Sequence, residues 1–256
     1  MTVKQAALLA AVGTTLGVAS DLSWSFLSWV PLAVHQGISA FSFLRPMAPT
    51  LLIVLFLGSA LPVFFFLLHR SPPLMSIPSS LKKAAWAAAI ASGLVVFQCV
   101  LRFGTRLLAL AEPAEVAAER MSHPIVSTLL KTHQLVVAPS VSLFAALSLL
   151  LFFMAVARGE TGTQTVPPGL RRAALYACVV AALFAIATVG TYTFAISAPS
   201  YQKVLQRAGP DTFVRWNAAL RAAITVCHQV SLAAFFLTFF LKLPSLQSSQ
   251  WHSSGE

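Results

Sequence analysis

Charge is scarce in this chain, and acidic charge is scarcest. Only 9% of the 256 residues are charged, and only seven are Asp or Glu. A soluble globular domain carries roughly 25% charged residues, so the composition excludes an ordinary soluble domain. So few carboxylates also leave little material for a carboxylate-based metal centre or a paired acid–base mechanism.

The chain also lacks the short motifs that mark common active sites. It contains no Gly-rich phosphate loop with a Lys, no His-Glu-x-x-His, no Cys-x-x-Cys and no Gly-x-Ser-x-Gly. Its three cysteines, Cys99, Cys178 and Cys227, are odd in number and widely spaced, which argues against a disulfide framework. We therefore predict no catalytic residue, and no motif predicts a cofactor or a metal.

Six apolar stretches divide the chain, and none contains Asp, Glu, Lys or Arg. A helix crosses a bilayer core with about 20 apolar residues, and five stretches have about this length. The first is shorter, but its helix can continue through Asp21 to Trp24. Such long, non-alternating runs predict an all-α integral membrane protein with six transmembrane helices. The stretches are 6–20, 48–68, 84–101, 135–157, 173–197 and 222–241.

The first, third and fifth stretches begin in the same way. Lys4-Gln5-Ala6-Ala7, Lys82-Lys83-Ala84-Ala85 and Arg171-Arg172-Ala173-Ala174 each place basic residues before an Ala pair. This recurrence predicts three tandem helix hairpins within a single membrane domain, 1–244. The hairpins span about 1–70, 80–158 and 170–242.

Two loops and the carboxyl terminus carry further signals. Residues 113–121 have a Pro near the start and Glu115 early, which is typical of a short surface helix. Residues 201–208 follow a capping Ser200 and end at Gly209-Pro210, so the second and third hairpins are each predicted to contain a short interfacial helix. Asp211 can cap the helix that follows. Residues 245–256 are polar and Ser-rich and are predicted to form a disordered tail.

The distribution of small and aromatic residues suggests which helices are central. Gly13, Gly17, Gly93 and Gly190 lie in odd-numbered stretches that are rich in Ala, and small residues allow close helix approach. Phe64-Phe65-Phe66 and Phe235-Phe236 lie in even-numbered stretches. We therefore expect the odd-numbered helices to be central and the Phe-rich helices to be peripheral or lipid-facing.

The net charge of +10 indicates membrane topology and lipid contact, and no nucleic-acid partner is predicted. All basic residues lie outside the apolar stretches, and none of their runs is interleaved with aromatics. Those on the side of the two termini lie in short segments near helix ends, where positive charge favours the cytoplasmic side. We expect a bacterial inner (cytoplasmic) membrane protein with both termini cytoplasmic. The terminal-side basic residues are Lys4, Arg70, Lys82, Lys83, Arg158, Arg171, Arg172 and Lys242.

Polar side chains inside apolar stretches are the usual markers of function in a bilayer. Three His-Gln pairs occur, His35-Gln36, His133-Gln134 and His228-Gln229, but they fall at different predicted depths. His228 is the deepest, and we expect it to face neighbouring helices with partners at the Thr-rich end of the fifth stretch. The candidates for a polar path or a ligand site are His228, Gln229, His133, Thr188, Thr191, Thr193 and Gln98.

Three functions stay open at this point. The first is a non-enzymatic integral membrane protein, such as a subunit, scaffold or assembly factor, whose partners are the lipid bilayer and other membrane subunits. The second is a small transporter or channel lined by the Thr residues of the fifth stretch. The third is a redox protein that binds haem or a transition metal through His133 and His228.

The charge distribution predicts the topology directly. Reporters placed at Thr165 and after Ser253 should read cytoplasmic, because both follow crossings that return to the basic side. A reporter near Pro113 should read external, as measured by paired enzyme fusions active on one side only. Inverted readings at all three sites would overturn the orientation, and a mixed result would overturn the six crossings.

Overall fold

The computed structural model describes residues 1–29, 59–70, 79–111, 123–158, 166–196 and 210–251. The described residues are almost entirely helical, and no strand occurs among them. The all-α class is therefore confirmed. The elements are α1 Val3–Trp29, α2 Ala60–Arg70, α3 Ser79–Ala111, α4 Pro124–Thr132, a π-helical turn His133–Val137, α5 Ala138–Ala157, α6 Pro168–Ile196 and α7 Pro210–Trp251.

Four segments are long and apolar enough to cross a membrane, which supports an integral membrane protein. They lie in α3, α5, α6 and α7, and two shorter apolar helices cover Val3–Val18 and Ala60–Arg70. The first part of the second apolar stretch, 48–58, lies outside the described residues. The four segments are Ser80–Leu101, Ala138–Ala157, Pro168–Gly190 and Ala223–Lys242.

Two helix ends differ in detail from the sequence expectations. Helix α1 continues through Asp21 as expected and ends at Trp29. Helix α7 begins at Pro210, one residue before the expected cap Asp211, since proline suits the first helical position. It continues to Trp251, whereas a disordered tail is expected from residue 245. The interfacial helices predicted at 113–121 and 201–208 lie outside the described residues.

The helices form a closed ring in chain order. Helix α1 packs on α2, α2 on α3, α3 on α5, α5 on α6 and α6 on α7, and α7 returns to α1. Where two contacts at different heights join a pair of neighbouring helices, they show that the two helices run antiparallel. For example, Lys4 at the start of α1 lies 5.0 Å from the Phe240 ring near the end of the α7 span, while Gly17 lies beside Gln229 further along.

Six buried phenylalanine rings fill the centre of this helix ring. Helices α2, α5 and α7 each contribute one adjacent Phe pair, and the second ring of each pair meets the first ring of the next. All three contacts are edge-to-face, a favoured aromatic geometry. The centroid distances are 4.9 Å for Phe65–Phe152, 4.8 Å for Phe153–Phe235 and 5.0 Å for Phe236–Phe64.

The odd-numbered apolar stretches surround this Phe cluster with their small residues turned inward. Ala7, Ala85 and Ala174, which occupy the same place in the three basic-Ala-Ala openings, are fully buried. The residues that follow them, Leu8, Trp86 and Leu175, are exposed at the outer surface. The expectation of central odd-numbered helices and peripheral Phe-rich helices is therefore wrong. The small residues do allow close packing of the helices, but the Phe pairs, and not the small residues, fill the axis.

The Phe cluster should dominate stability, because truncating a large core side chain costs roughly 3–5 kcal/mol in soluble proteins. We expect Phe153→Ala to lower the free energy of unfolding by about this amount. Phe144→Ala, on the same helix but 43% exposed, is the matched control and should cost much less. Equilibrium unfolding in mixed micelles measures both. Equal losses would contradict a central role for the cluster.

Candidate functional site

His228 is a buried polar side chain of α7, two turns before the Phe cluster. It is 9% exposed, and its ring stacks on Phe184 of α6 with a centroid distance of 4.8 Å and an angle of 15°. Among the described residues, no hydrogen-bond partner lies within reach of its Nδ1 atom. His228 thus faces a neighbouring helix as expected, but its contact is an aromatic ring and not a Thr hydroxyl.

Gln229 packs against the opposite neighbour of α7. A Cβ atom built on Gly17 of α1 would lie 3.1 Å from Gln229 Oε1, so the side chain of Gln229 occupies the space that glycine leaves. Gly17 and Phe184 each lie thirteen residues after the first basic residue of their openings, Lys4 and Arg171. The pair His228-Gln229 therefore lies between equivalent positions of α1 and α6.

This polar pair is specific to α7. The positions seven and six residues before the first Phe of the α5 pair are Ala145 and Ala146, whereas the same positions in α7 are His228 and Gln229. Ala145 and Ala146 are buried. The repeated packing is therefore interrupted in α7 by two side chains that carry hydrogen-bonding groups.

His133 lies at a different level and begins the π-helical turn. Its carbonyl accepts the N–H of Ala138, five residues on. Pro139 explains the wide turn, because proline has no N–H to give the carbonyl four residues earlier, and its ring would clash with that carbonyl. Gln98 of α3 donates from Nε2 to the carbonyl of Val137 in the same turn at 3.4 Å.

The structure does not bring His133 and His228 together. Measured against the Phe pairs of their helices, His228 lies 7 residues before Phe235 and His133 lies 19 before Phe152. This offset of twelve residues corresponds to about 18 Å along parallel helices. A metal ion needs ligand nitrogens about 2 Å away. No group of three or more metal-ligating side chains occurs in the part of the chain that the structure describes, and His35 lies outside it.

The threonines of α6 satisfy their hydroxyls within their own helix. Thr188 donates to the carbonyl of Phe184 at 2.8 Å, and Thr193 donates to the carbonyls of Val189 and Gly190. The side chain of Thr191 lies outside the described ones. Such bonds to the preceding turn are a structural use of Thr in membrane helices.

A small groove lies between α5 and α6, beside the π-helical turn. Its volume is about 70 Å³, which is room for a few water molecules. Thr188 is the only sequence candidate on its wall. The lining residues are Pro139, Ser140, Leu143, Thr188 and Val189.

Sequence reasoning missed the partners of the polar pair. The sequence indicates that Gly17 allows close helix packing, and in the structure its place accommodates the side chain of Gln229. No sequence pattern points to Phe184. The sequence does contain a signal that aligns the helices, the recurring Phe-Phe doublet at 64–65, 152–153 and 235–236. Aligning the even-numbered stretches on this doublet shows that His228 and Gln229 replace an Ala pair.

Comparisons with known proteins leave the function to be argued from this geometry. No protein-family model, no curated protein and no solved structure matches the chain.

The environment of His228 makes a specific prediction. His228→Phe should be at least as stable as the natural protein, because it keeps the ring on Phe184 and removes a buried nitrogen that has no partner among the described residues. His228→Ala should lower the free energy of unfolding by roughly 1–3 kcal/mol through loss of the aromatic pair and formation of a cavity. Val230→Ala, at an exposed site on the same helix, is the control for truncation. A His228→Phe protein far less stable than His228→Ala would instead reveal an essential partner of the imidazole.

Gly17 of α1 and Gly190 of α6 give a matched pair. Gly190→Ala should raise the free energy of unfolding by up to about 1 kcal/mol through helix propensity, since the new methyl group would have no heavy atom of the described residues within 4 Å. Gly17→Ala should gain less or lose stability, because Gln229 must move. The double variant Gly17→Ala/Gln229→Ala should recover the gain. Equal effects of the two single variants would rule out the packing of Gln229 on Gly17.

Proposed function

We propose that the chain crosses the membrane six times as three hairpins, about 1–70, 80–158 and 170–242, arranged around the Phe cluster. Support comes from features that recur once per hairpin: the basic-Ala-Ala opening, the buried Ala that follows it and the Phe doublet near the end. Where one hairpin ends and the next begins, a hydrogen bond from a side chain to a carbonyl joins the two helices. His69 Nδ1 donates to the carbonyl of Lys82 at 3.0 Å, and Arg171 Nε donates to that of Ala157 at 2.8 Å.

Within that arrangement, we propose a non-enzymatic integral membrane protein that acts as a subunit, scaffold or assembly factor of a larger membrane complex. The observation that carries this proposal is the aromatic filling of the axis. Six Phe side chains close the centre of the bundle at one level, where a channel would need an open polar path. The hydroxyls of Thr14, Ser92 and Thr188 also bond carbonyls of their own helices, which makes them structural.

A small transporter or channel is the second candidate. The groove beside Thr188 and the π-helical turn favours it, since such turns are frequent at functional sites. The groove lies between α5 and α6, away from the Phe-filled axis. A transporter of this design would have to open along that helix interface.

Both termini are proposed to lie on the cytoplasmic side of a bacterial inner membrane. The support is the cluster of basic residues at the end of the ring where α1 begins and α7 completes its apolar span. Binding of haem or a transition metal by His133 and His228 is not proposed, because the two residues lie at different levels.

The functional proposal is tested on the full chain purified in a mild detergent. We expect a complex of fixed stoichiometry with another membrane protein, seen by size analysis and mass spectrometry. Liposomes containing the purified chain should show no solute flux above the level of protein-free vesicles. A chain that is monomeric in the native membrane and that supports selective flux would overturn the subunit role. An optical spectrum with a haem band would overturn the exclusion of haem.

A further inference from the structure

Charge is distributed unevenly between the two ends of the helix ring. The end of the ring where α1, α3 and α6 begin, here called the basic end, carries eight basic residues, and no Asp or Glu lies there among the described residues. In the predicted topology, the segments on the opposite side carry nine basic residues and five acidic ones. The sequence therefore predicts the larger excess of positive charge at the basic end.

The α5–α6 junction holds three of these cations, all of them arginines, whereas the α2–α3 junction holds one arginine and two lysines. Arg158 follows the last residue of α5, and Arg171 and Arg172 lie in the first turn of α6; all three are exposed. Arg171 donates from Nε to the carbonyl of Ala157 at 2.8 Å, so its guanidinium lies beside the residue that precedes Arg158. This bond uses one of the five N–H donors of the guanidinium.

We propose that this junction binds the phosphate of an anionic phospholipid. Three guanidinium groups at the end of membrane-spanning helices lie at the depth of the headgroups, and arginine matches phosphate oxygens with paired N–H donors. Basic pockets between membrane helices on the cytoplasmic side bind anionic headgroups in the same way. The start of α6 adds the positive end of its helix dipole.

The other two junctions are weaker versions of the same arrangement. The α2–α3 junction carries Arg70 and Lys83 at its surface, but the ring of His69 occupies the position that meets the next helix. At the α7–α1 junction, Lys4 lies over the Phe240 ring. Lysine presents a point charge and not a planar fork, so the α5–α6 junction is the preferred site.

The test is a lipid titration of the full chain in detergent, with the thermal unfolding midpoint as the readout. Phosphatidylglycerol should raise the midpoint in a saturable manner, and phosphatidylcholine should not. In Arg158→Gln/Arg172→Gln, the half-saturating concentration of phosphatidylglycerol should rise about tenfold or more, because two charged contacts are lost. Arg171 is left unchanged because it joins the two helices.

The matched control is Arg70→Gln/Lys83→Gln, which removes the same charge from the same end of the protein. It should keep the natural half-saturating concentration. An equal loss in both double variants would show diffuse attraction and overturn the local site.

Inorganic phosphate at the same concentrations should leave the unfolding midpoint unchanged, and a shift equal to that of the lipid would assign the site to a soluble phosphate instead. If Arg158→Gln/Arg172→Gln does not fold, native mass spectrometry of the natural chain decides, because retention of phosphatidylcholine and phosphatidylglycerol alike would overturn the proposal. The proposal is independent of the subunit role.

Discussion

Edge-to-face packing of six phenylalanine rings is the interaction on which the rest of the helix ring depends. In a bilayer, exclusion from water does not draw helices together, because lipid tails are as apolar as Leu; close packing must supply the attraction. The contacts Phe65–Phe152, Phe153–Phe235 and Phe236–Phe64 have nearly equal lengths. They connect three helices that make few backbone contacts with one another, so bulky side chains span the gap. The Ala-rich faces of α1, α3 and α6 then fit between these helices, since only small residues allow that approach.

When α5 and α7 are aligned on their Phe pairs, α7 differs from α5 at two buried positions. Where α5 has Ala145 and Ala146, α7 places an imidazole and a carboxamide between its two neighbours. Both neighbours are adapted: α6 presents the Phe184 ring to His228, and α1 presents Gly17 to Gln229. Burying polar side chains in apolar surroundings costs free energy unless their hydrogen bonds are satisfied. Gln229 lies at the contact of α7 with α1 and His228 at its contact with α6. The pair therefore makes both interfaces of α7 different from those of α5, where two buried Ala occupy the equivalent positions.

The sequence predicted the helices far better than their packing. Run length alone predicted the four spans in α3, α5, α6 and α7, because a lipid solvent demands long helices with internal hydrogen bonds. The prediction that the Phe-rich helices are peripheral was wrong. In lipid, both the inner and the outer faces of a helix are apolar, so hydrophobicity does not show which face is inward. The depth of His228 followed from its place in an apolar stretch. Its stacking on Phe184 could not be predicted, since that required knowing that α6 and α7 are neighbours. The contact of Gln98 with the π-helical turn was hidden for the same reason.

The bond between Arg171 and Ala157 shows how the basic end of the bundle is joined. There the last turn of α5 lies beside the start of α6, and the carbonyl of Ala157, left open at the helix end, accepts the N–H of Arg171 Nε. This bond fixes one guanidinium beside the end of α5, so part of the positive charge that is predicted to orient the chain is held in a defined place. Under the proposed binding of an anionic phospholipid, this fixed guanidinium would let the α5–α6 junction distinguish a phosphate from a neutral headgroup.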